Sequence, residues 1–225
     1  MEKGEWMDPM MFSCADCRIQ GCAKDTGEYP AGCPTAALDA EQIEAVSCAY
    51  EEDGLSAAIM AAASEVSTEA FAKRWSRVEE TLAFLERMGW KRIGIASCSG
   101  LAEEASIFAR ILRLRGFEPC GIACKVGAVP KSRFDAPESC CDFGTVSCNP
   151  LMQAKLLAEA GTEANVVIGL CVGHDMIFNA HSQAPVTTLI AKDRALFHNP
   201  VGALYGAKTS TFYNHLLKPA DSCCR

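Results

Sequence analysis

The period of the apolar positions changes near residue 90. Phe71, Trp75, Val78, Leu82 and Leu85 recur at spacings of four and three, which lays one core-facing stripe along a helix. Ser67 or Thr68 stands where a cap would start that helix, and Gly89 where it would stop. Upstream, residues 35–63 are alanine-rich and read as one or two helices broken near Asp53–Gly54. Downstream, short continuous apolar runs alternate with amphipathic ones. Lys91–Ser97, Phe117–Cys124, Asn165–Cys171 and Pro185–Ala191 read as strands, the third as a strand buried on both faces. Leu101–Arg115, Pro150–Ala160, a short stretch at His174–His181 and Ala203–Leu217 read as helices. Strand–helix alternation predicts right-handed crossovers and a parallel sheet.

The expected fold is therefore α/β: an open, doubly wound parallel sheet of four or five strands with flanking helices. A small cysteine-rich, metal-binding segment precedes it. The expected organisation is 1–34 for that segment, 35–89 for a helical region packing on the sheet, 90–218 for the α/β domain and 219–225 for a tail.

Charge and length narrow the function classes. The 225 residues carry a net charge of −7, where a nucleic-acid groove needs a basic field. No run of about 18 apolar residues offers a membrane span. The acidic start Met1-Glu2-Lys3-Gly4-Glu5 lacks the apolar core of a secretory signal. Cytoplasmic location follows as the expectation, with a small-molecule ligand or a redox partner protein and neither nucleic acid nor membrane.

Sulfur changes the picture most. Fourteen cysteines in a chain expected to sit in a reducing compartment point to metal ligation or reactive thiols rather than to disulfides. Cys14-x2-Cys17-x4-Cys22-x10-Cys33-Pro34 is a ligand-like spacing. A two-residue gap lets one turn bring two thiolates to one ion, and four thiolates suit tetrahedral zinc or a [4Fe–4S] cluster. The cluster is the favoured reading and zinc the alternative.

A second group is set by topology. Cys98, Cys124 and Cys171 each follow a predicted strand, and Cys148 precedes a predicted helix. The carboxyl ends of parallel strands share one edge, where ligands bind. These four are expected to hold a second cluster or to form a reactive-thiol site. Lys125, Lys131, His174, Asp175, Lys192, Asp193, Arg194 and His198 follow the same strands. His174 and Lys192 are the candidate proton-transfer groups, and Asp175 can serve as a helix cap. Cys48 and Cys120 read as packing; Cys140 and Cys141 read as loop ligands or redox groups, and Cys223 and Cys224 lie in the tail. No phosphate-binding glycine motif occurs.

CADCRIQGCAKD, GCPT, IGIASCSGLAEEA, CKVGAVPKS, SCNPLMQAKLLAEAGTEANVVIGLCVGHDMIF, APVTTLIAKDR and HNPVGALY together resemble the family called domain of unknown function 1847, over nearly the whole chain from Cys14 to about Leu217. The resemblance implies metal binding at Cys14, Cys17, Cys22 and Cys33. The functional expectation is an iron–sulfur protein of an anaerobic way of life, with electron transfer or reductive sulfur chemistry on a small molecule. Its alternatives are a zinc-stabilised ligand-binding module and a metal or sulfur carrier.

Overall fold

The computed structural model describes residues 14–24, 26–134 and 137–219. The chain forms two compact units, residues 1–61 and 62–225. In the first, a 3-10 turn at Cys14–Asp16 and two single-turn helices, α1 (Gly21–Lys24) and α2 (Pro34–Ala37), precede α3 (Ala40–Glu52). Asp39 and Gln42 form a capping box at the start of α3, satisfying two amides that a helix start leaves open. The expected break at Asp53–Gly54 is present: α3 ends there and α4 (Gly54–Lys73) begins.

The single helix expected through residues 71–85 is instead two. α4 ends at Lys73, Arg74 turns left-handed at φ 55°, and α5 (Arg77–Arg87) starts from a Ser76/Glu79 capping box. The apolar stripe is interrupted accordingly. Leu82 and Leu85 are buried, whereas Phe71 is 90% exposed. Ser67 and Thr68 lie inside α4 and bond back to the Ser64 carbonyl rather than capping. A strong local cap outweighed a continuous period.

The second unit holds β1 (Arg92–Ser97), α6 (Ala102–Leu114), β2 (Glu118–Ala123), α7 (Pro150–Glu159), β3 (Ala164–Ile168), α8 (His174–His181), β4 (Val186–Ile190) and α9 (Val201–Thr209). The last expected helix stops early, because Ser210 is extended; a 3-10 turn at Asn214–Leu217 follows. The four strands are all parallel in the order β2-β1-β3-β4, an α/β fold as anticipated.

From β1 the chain moves outward to β2, then crosses back to β3 and on to β4. Right-handed crossovers therefore put α6 on one face and α7 and α8 on the other. The switch point lies between β1 and β3, where an open sheet parts its loops into a crevice. The core is Ile93, Ile95, Val166, Val167 and Ile168 from the central strands, with Leu112, Leu157 and Phe178 from the helices. Gln153 on α7 is fully buried, and its side-chain Nε2 donates to the carbonyls of Ser97 (3.2 Å) and Ile122 (2.7 Å). It thereby ties together the carboxyl ends of β1 and β2.

On the edge strand β4, Arg77 Nε donates to the Thr188 carbonyl (2.8 Å) and covers part of the open ladder. An open apolar cleft of about 270 Å³ beside it is lined by Val78, Ile107, Phe108, Ile111 and Leu189 among others, and contains no thiol. Among the described residues no helix is long and apolar enough to cross a membrane.

Candidate functional site at the carboxyl edge of the sheet

β1 ends at Ser97, and Cys98 is the next residue; β2 ends at Ala123, and Cys124 is the next. Ser97 and Ala123 are register partners, so the two cysteines leave the sheet side by side. Cys148 reaches the same place through a pinned loop. Ser147 N donates to the Val129 carbonyl (2.7 Å), Lys131 N to that of Thr145 (2.9 Å), and Pro130 bridges Val146. Asn149 N then donates to the Cys124 carbonyl (2.7 Å), and the Asn149 side chain caps α7 by accepting from Met152 N (3.1 Å). The sulfurs of Cys124 and Cys148 end 3.6 Å apart.

Backbone amides face these sulfurs. Ser99 N donates to Cys124 Sγ (3.3 Å) and Gly100 N to Cys98 Sγ (3.4 Å), at the turn that leads into α6. Lys192, just past β4, reaches across to place Nζ 2.7 Å from Cys98 Sγ. Arg194 donates to Cys171 Sγ at 3.3 Å. Lys125 extends to the Val146 carbonyl beside Cys148. Cys98 and Cys124 are 8% and 1% exposed, while Cys148 and Cys171 are half-buried.

The thiols separate in acidity. The Cys148 thiol is pulled down from 9.0 to about 7, first by a hydrogen bond from Cys124 and then by the Lys125 charge, against burial and the nearby Cys171 and Cys98. The Cys98 thiol is pushed up to about 12, first by the Cys124 thiol and then by burial. The Lys192 ammonium pulls it the other way, as the 2.7 Å contact demands, but does not prevail. Crowded sulfurs cannot all ionise: Cys148 is the first to lose its proton, about half ionised at pH 7, and Cys98 keeps its own.

A pH dependence of stability follows. Between about pH 7 and 9 folded Cys148 has released a proton that the unfolded chain still holds. Its contribution is thus present above pH 9 and lost as pH falls through about 7. Cys98 has the opposite sign: its contribution is present below pH 9 and lost as pH rises toward about 12. Urea titrations across this range should show a rising limb between pH 7 and 9 that Cys148→Ser removes. An unchanged limb in that variant would refute the assignment.

The other expected residues are scattered. His174 opens α8 in the turn that follows Cys171, and its imidazole has no hydrogen-bond partner among the described residues. Asp175 does not cap α8, whose N-cap is Gly173; its carboxylate accepts from Met176 N (2.8 Å). Asp193 and His198 close their own loop. Asp193 Oδ1 accepts from Ala195 N and Leu196 N (both 2.9 Å), and His198 Nδ1 accepts from Asp193 N (3.1 Å). Lys131 extends to the Cys140 carbonyl, and Cys140 and Cys141 are exposed in the 3-10 turn Glu138–Phe143. Cys120 is a partly buried member of the core wall. Cys48 points its thiol to Glu44 at 3.7 Å on α3. Cys223 and Cys224 lie outside the described residues.

In the first unit Cys33 is buried, Cys17 half-buried, and Cys14 and Cys22 exposed. Gln20 N donates to Cys17 Sγ at 3.4 Å. Burial pushes the pKa of the Cys33 thiol up, but the amides of Ala36 and Thr35 and the Thr35 hydroxyl outweigh it and hold the thiol below its ordinary value. Four thiols are a fitting donor set for iron–sulfur or zinc. Among the described residues, however, no three histidine, cysteine, aspartate or glutamate side chains stand at the spacing of a common ion.

Sequence reasoning missed Gln153, Ser99 and Gly100. A lone glutamine on the apolar face of α7 was the only available sign of the first. The other two act through backbone amides, which no residue type announces.

A family model described as a protein of unknown function, DUF1847, matches residues 33–189. An uncharacterized protein from Methanocaldococcus jannaschii is 45% identical over 130 residues, covering 58% of this chain and 67% of that protein. The matched stretch includes Cys33, Cys98, Cys124, Cys148, Cys171 and His174, while Cys14, Cys17, Cys22, Lys192 and Arg194 lie outside it. The chain belongs to the DUF1847 family, proteins of unknown function.

Proposed function

We propose that the protein handles sulfur with thiols: the crevice at the carboxyl edge binds a small anionic molecule, and cysteine sulfur performs reductive chemistry on it. One observation carries this reading. Cys98, Cys124 and Cys148 meet beside a switch point, with Lys192 on the Cys98 sulfur at 2.7 Å and Lys125 beside Cys148. A partly exposed sulfur with cations and amides around it is the environment in which a thiolate forms and reacts. The cations give the bound molecule its sign. Such chemistry needs free thiols, which fits a reducing compartment such as the cytoplasm and a redox partner to restore them.

Paired alkylation tests this. Iodoacetate and iodoacetamide differ mainly in charge, so their rate ratio at each cysteine reads the local field. The ratio should be higher at Cys148 than at exposed Cys140 and Cys141, and should fall in Lys125→Met and Lys192→Met. Equal ratios at all three sites would defeat the reading.

A second reading concerns the first unit. Cys14, Cys17, Cys22 and Cys33 would hold a [4Fe–4S] cluster, with zinc as the alternative, supported by the Gln20 amide on Cys17 and by the Cys-Pro at the end of the run. Protein purified anaerobically should then contain roughly four iron and four acid-labile sulfide per chain. Stoichiometric zinc without sulfide would replace the cluster with the alternative.

A further inference from the structure

The 3.6 Å approach of Cys124 and Cys148 has a stronger consequence than nucleophilicity alone. A disulfide has its sulfurs at about 2.05 Å, so closing this gap takes about 1.5 Å of movement. The backbone is already clamped for it, since Asn149 N is bonded to the Cys124 carbonyl at 2.7 Å. The two thiols also differ in the way such a couple requires. Cys148 is the accessible one, at the start of the ten-residue helix α7; Cys124 is 1% exposed behind it.

We propose that Cys148 and Cys124 form a dithiol–disulfide couple that reduces small anionic disulfides, with Cys148 as the attacking sulfur and Cys124 as the resolving one. This rests on the sulfur-handling reading above and names its substrate class. The Cys148 thiolate attacks one sulfur of the substrate R–S–S–R. A Cys148–S–S–R bond forms, the substrate S–S bond breaks, and RS⁻ leaves. Cys124 gives its proton to the departing thiolate, and its sulfur attacks Cys148 Sγ. The Cys124–Cys148 bond forms and the second RS⁻ leaves. The substrate gains two electrons and the protein pair loses them.

The surroundings suit each step. Attack needs the thiolate, and Cys148 has the Cys124 thiol at 3.6 Å and the Lys125 ammonium beside it, both of which lower its pKa, with burial, Cys171 and Cys98 opposing. Resolution needs a thiol that stays in place and out of solvent, and Cys124 is fixed by the Ser99 amide at 3.3 Å. Lys125, Lys192 and Arg194 favour an anionic over a cationic disulfide. Cys98, protonated and engaged by Lys192, stays out of the exchange.

The experiment uses the full chain, reduced and then freed of reductant anaerobically in the presence of a chelator. It is mixed with 3,3′-dithiodipropionate or with cystamine, its cationic counterpart; the rate ratio is normalised to that of free glutathione. After alkylation of the remaining thiols, non-reducing peptide mapping locates the bonds. The expected result is one Cys124–Cys148 bond per chain, formed with no lasting adduct on either sulfur, so that each bond accounts for two equivalents of 3-mercaptopropionate, and a normalised preference for the anion of about tenfold at low salt that shrinks as salt rises. Cys124→Ser, with Cys124→Ala as a second variant if the first is unstable, should stop at a mixed disulfide on Cys148, one equivalent released for each such adduct.

A Cys98–Cys124 or Cys140–Cys141 bond in the wild-type chain overturns the couple. So does the absence of a mixed disulfide on Cys148 in both Cys124 variants. If the couple fails while the charge-selective alkylation of Cys148 persists, only this inference falls. If Cys148 shows neither, the sulfur-handling reading falls with it.

Discussion

Replacing Gly169 by alanine should lower the unfolding free energy by about 2–4 kcal/mol and disturb the thiol site as well. Gly169 joins β3 to the loop that carries Cys171, and it sits at φ 62°, where an alanine costs about 1–2 kcal/mol. A β-carbon there would also lie 2.6 Å from Leu101 Cδ2, and forcing such a contact in a packed core costs typically 1–3 kcal/mol. Leu101 is 2% exposed and sits three residues after Cys98, so it cannot give way without moving the turn whose amides face the sulfurs. The measurement is urea unfolding together with the alkylation rate of Cys148. Unchanged stability and unchanged reactivity would show that the switch point is looser than described.

Gly94→Ala should cost a similar amount, about 2–4 kcal/mol, and leave the site chemistry alone. Gly94 and Asn165 are register partners on β1 and β3. A β-carbon at Gly94 would stand 1.9 Å from Asn165 Oδ1 and 3.2 Å from Leu157 Cδ1. Asn165 is buried and cannot swing away freely. Its Oδ1 accepts from Thr162 Oγ1 (2.8 Å), and its Nδ2 donates to Ser182 Oγ (2.8 Å). Breaking buried hydrogen bonds of this kind costs about 1–3 kcal/mol in addition to the overpacking. Gly94 lies four residues before Cys98, about 13 Å away along the strand, so alkylation at Cys148 should keep its wild-type pH profile in the folded variant. A shifted profile would mean that the strand transmits the strain.

This contrast shows which features a sequence makes visible. The central strands β1 and β3 were legible because a strand buried on both faces announces itself as an apolar run, as in Ala164–Ile168, and the half-exposed edge strands β2 and β4 because they alternate with helices. Cys98, Cys124 and Cys171 could be assigned to one edge because parallel topology leaves no other place for residues that follow strands. The helix boundary at Arg74–Ser76 was hidden, since the capping box is a two-residue signal inside a continuous apolar period. The approach of Cys148 to Cys124 depends on the pairing of Val129 and Lys131 with Thr145 and Ser147. No periodicity encodes a loop closure of that kind. The reach of Lys192 across β3 to Cys98 could be read only once the strand order was known. Gly94 and Gly169 were equally silent, because their roles depend on what lies opposite them.

The 3.6 Å approach of Cys148 to Cys124 is the physical basis of the proposed couple, and the ionisation of Cys148 is its most direct chemical consequence. Its arithmetic at pH 7 is instructive. A thiol at about 7 is half ionised and one at 9.0 about 1% ionised, a ratio near 50. Intrinsic nucleophilicity falls with acidity and returns roughly six- to tenfold of this, leaving a rate advantage of only about five- to eightfold. The midpoint of the rate profile is therefore more decisive than the rate itself. The most direct measurement is the pH dependence of iodoacetamide alkylation at Cys148, followed by mass spectrometry from pH 5 to 10, with exposed Cys140 and Cys141 as internal references. A midpoint near 7 at Cys148, moving upward in Cys124→Ala, is the expected result. A Cys148 midpoint near 9 that is indifferent to Cys124 would contradict it.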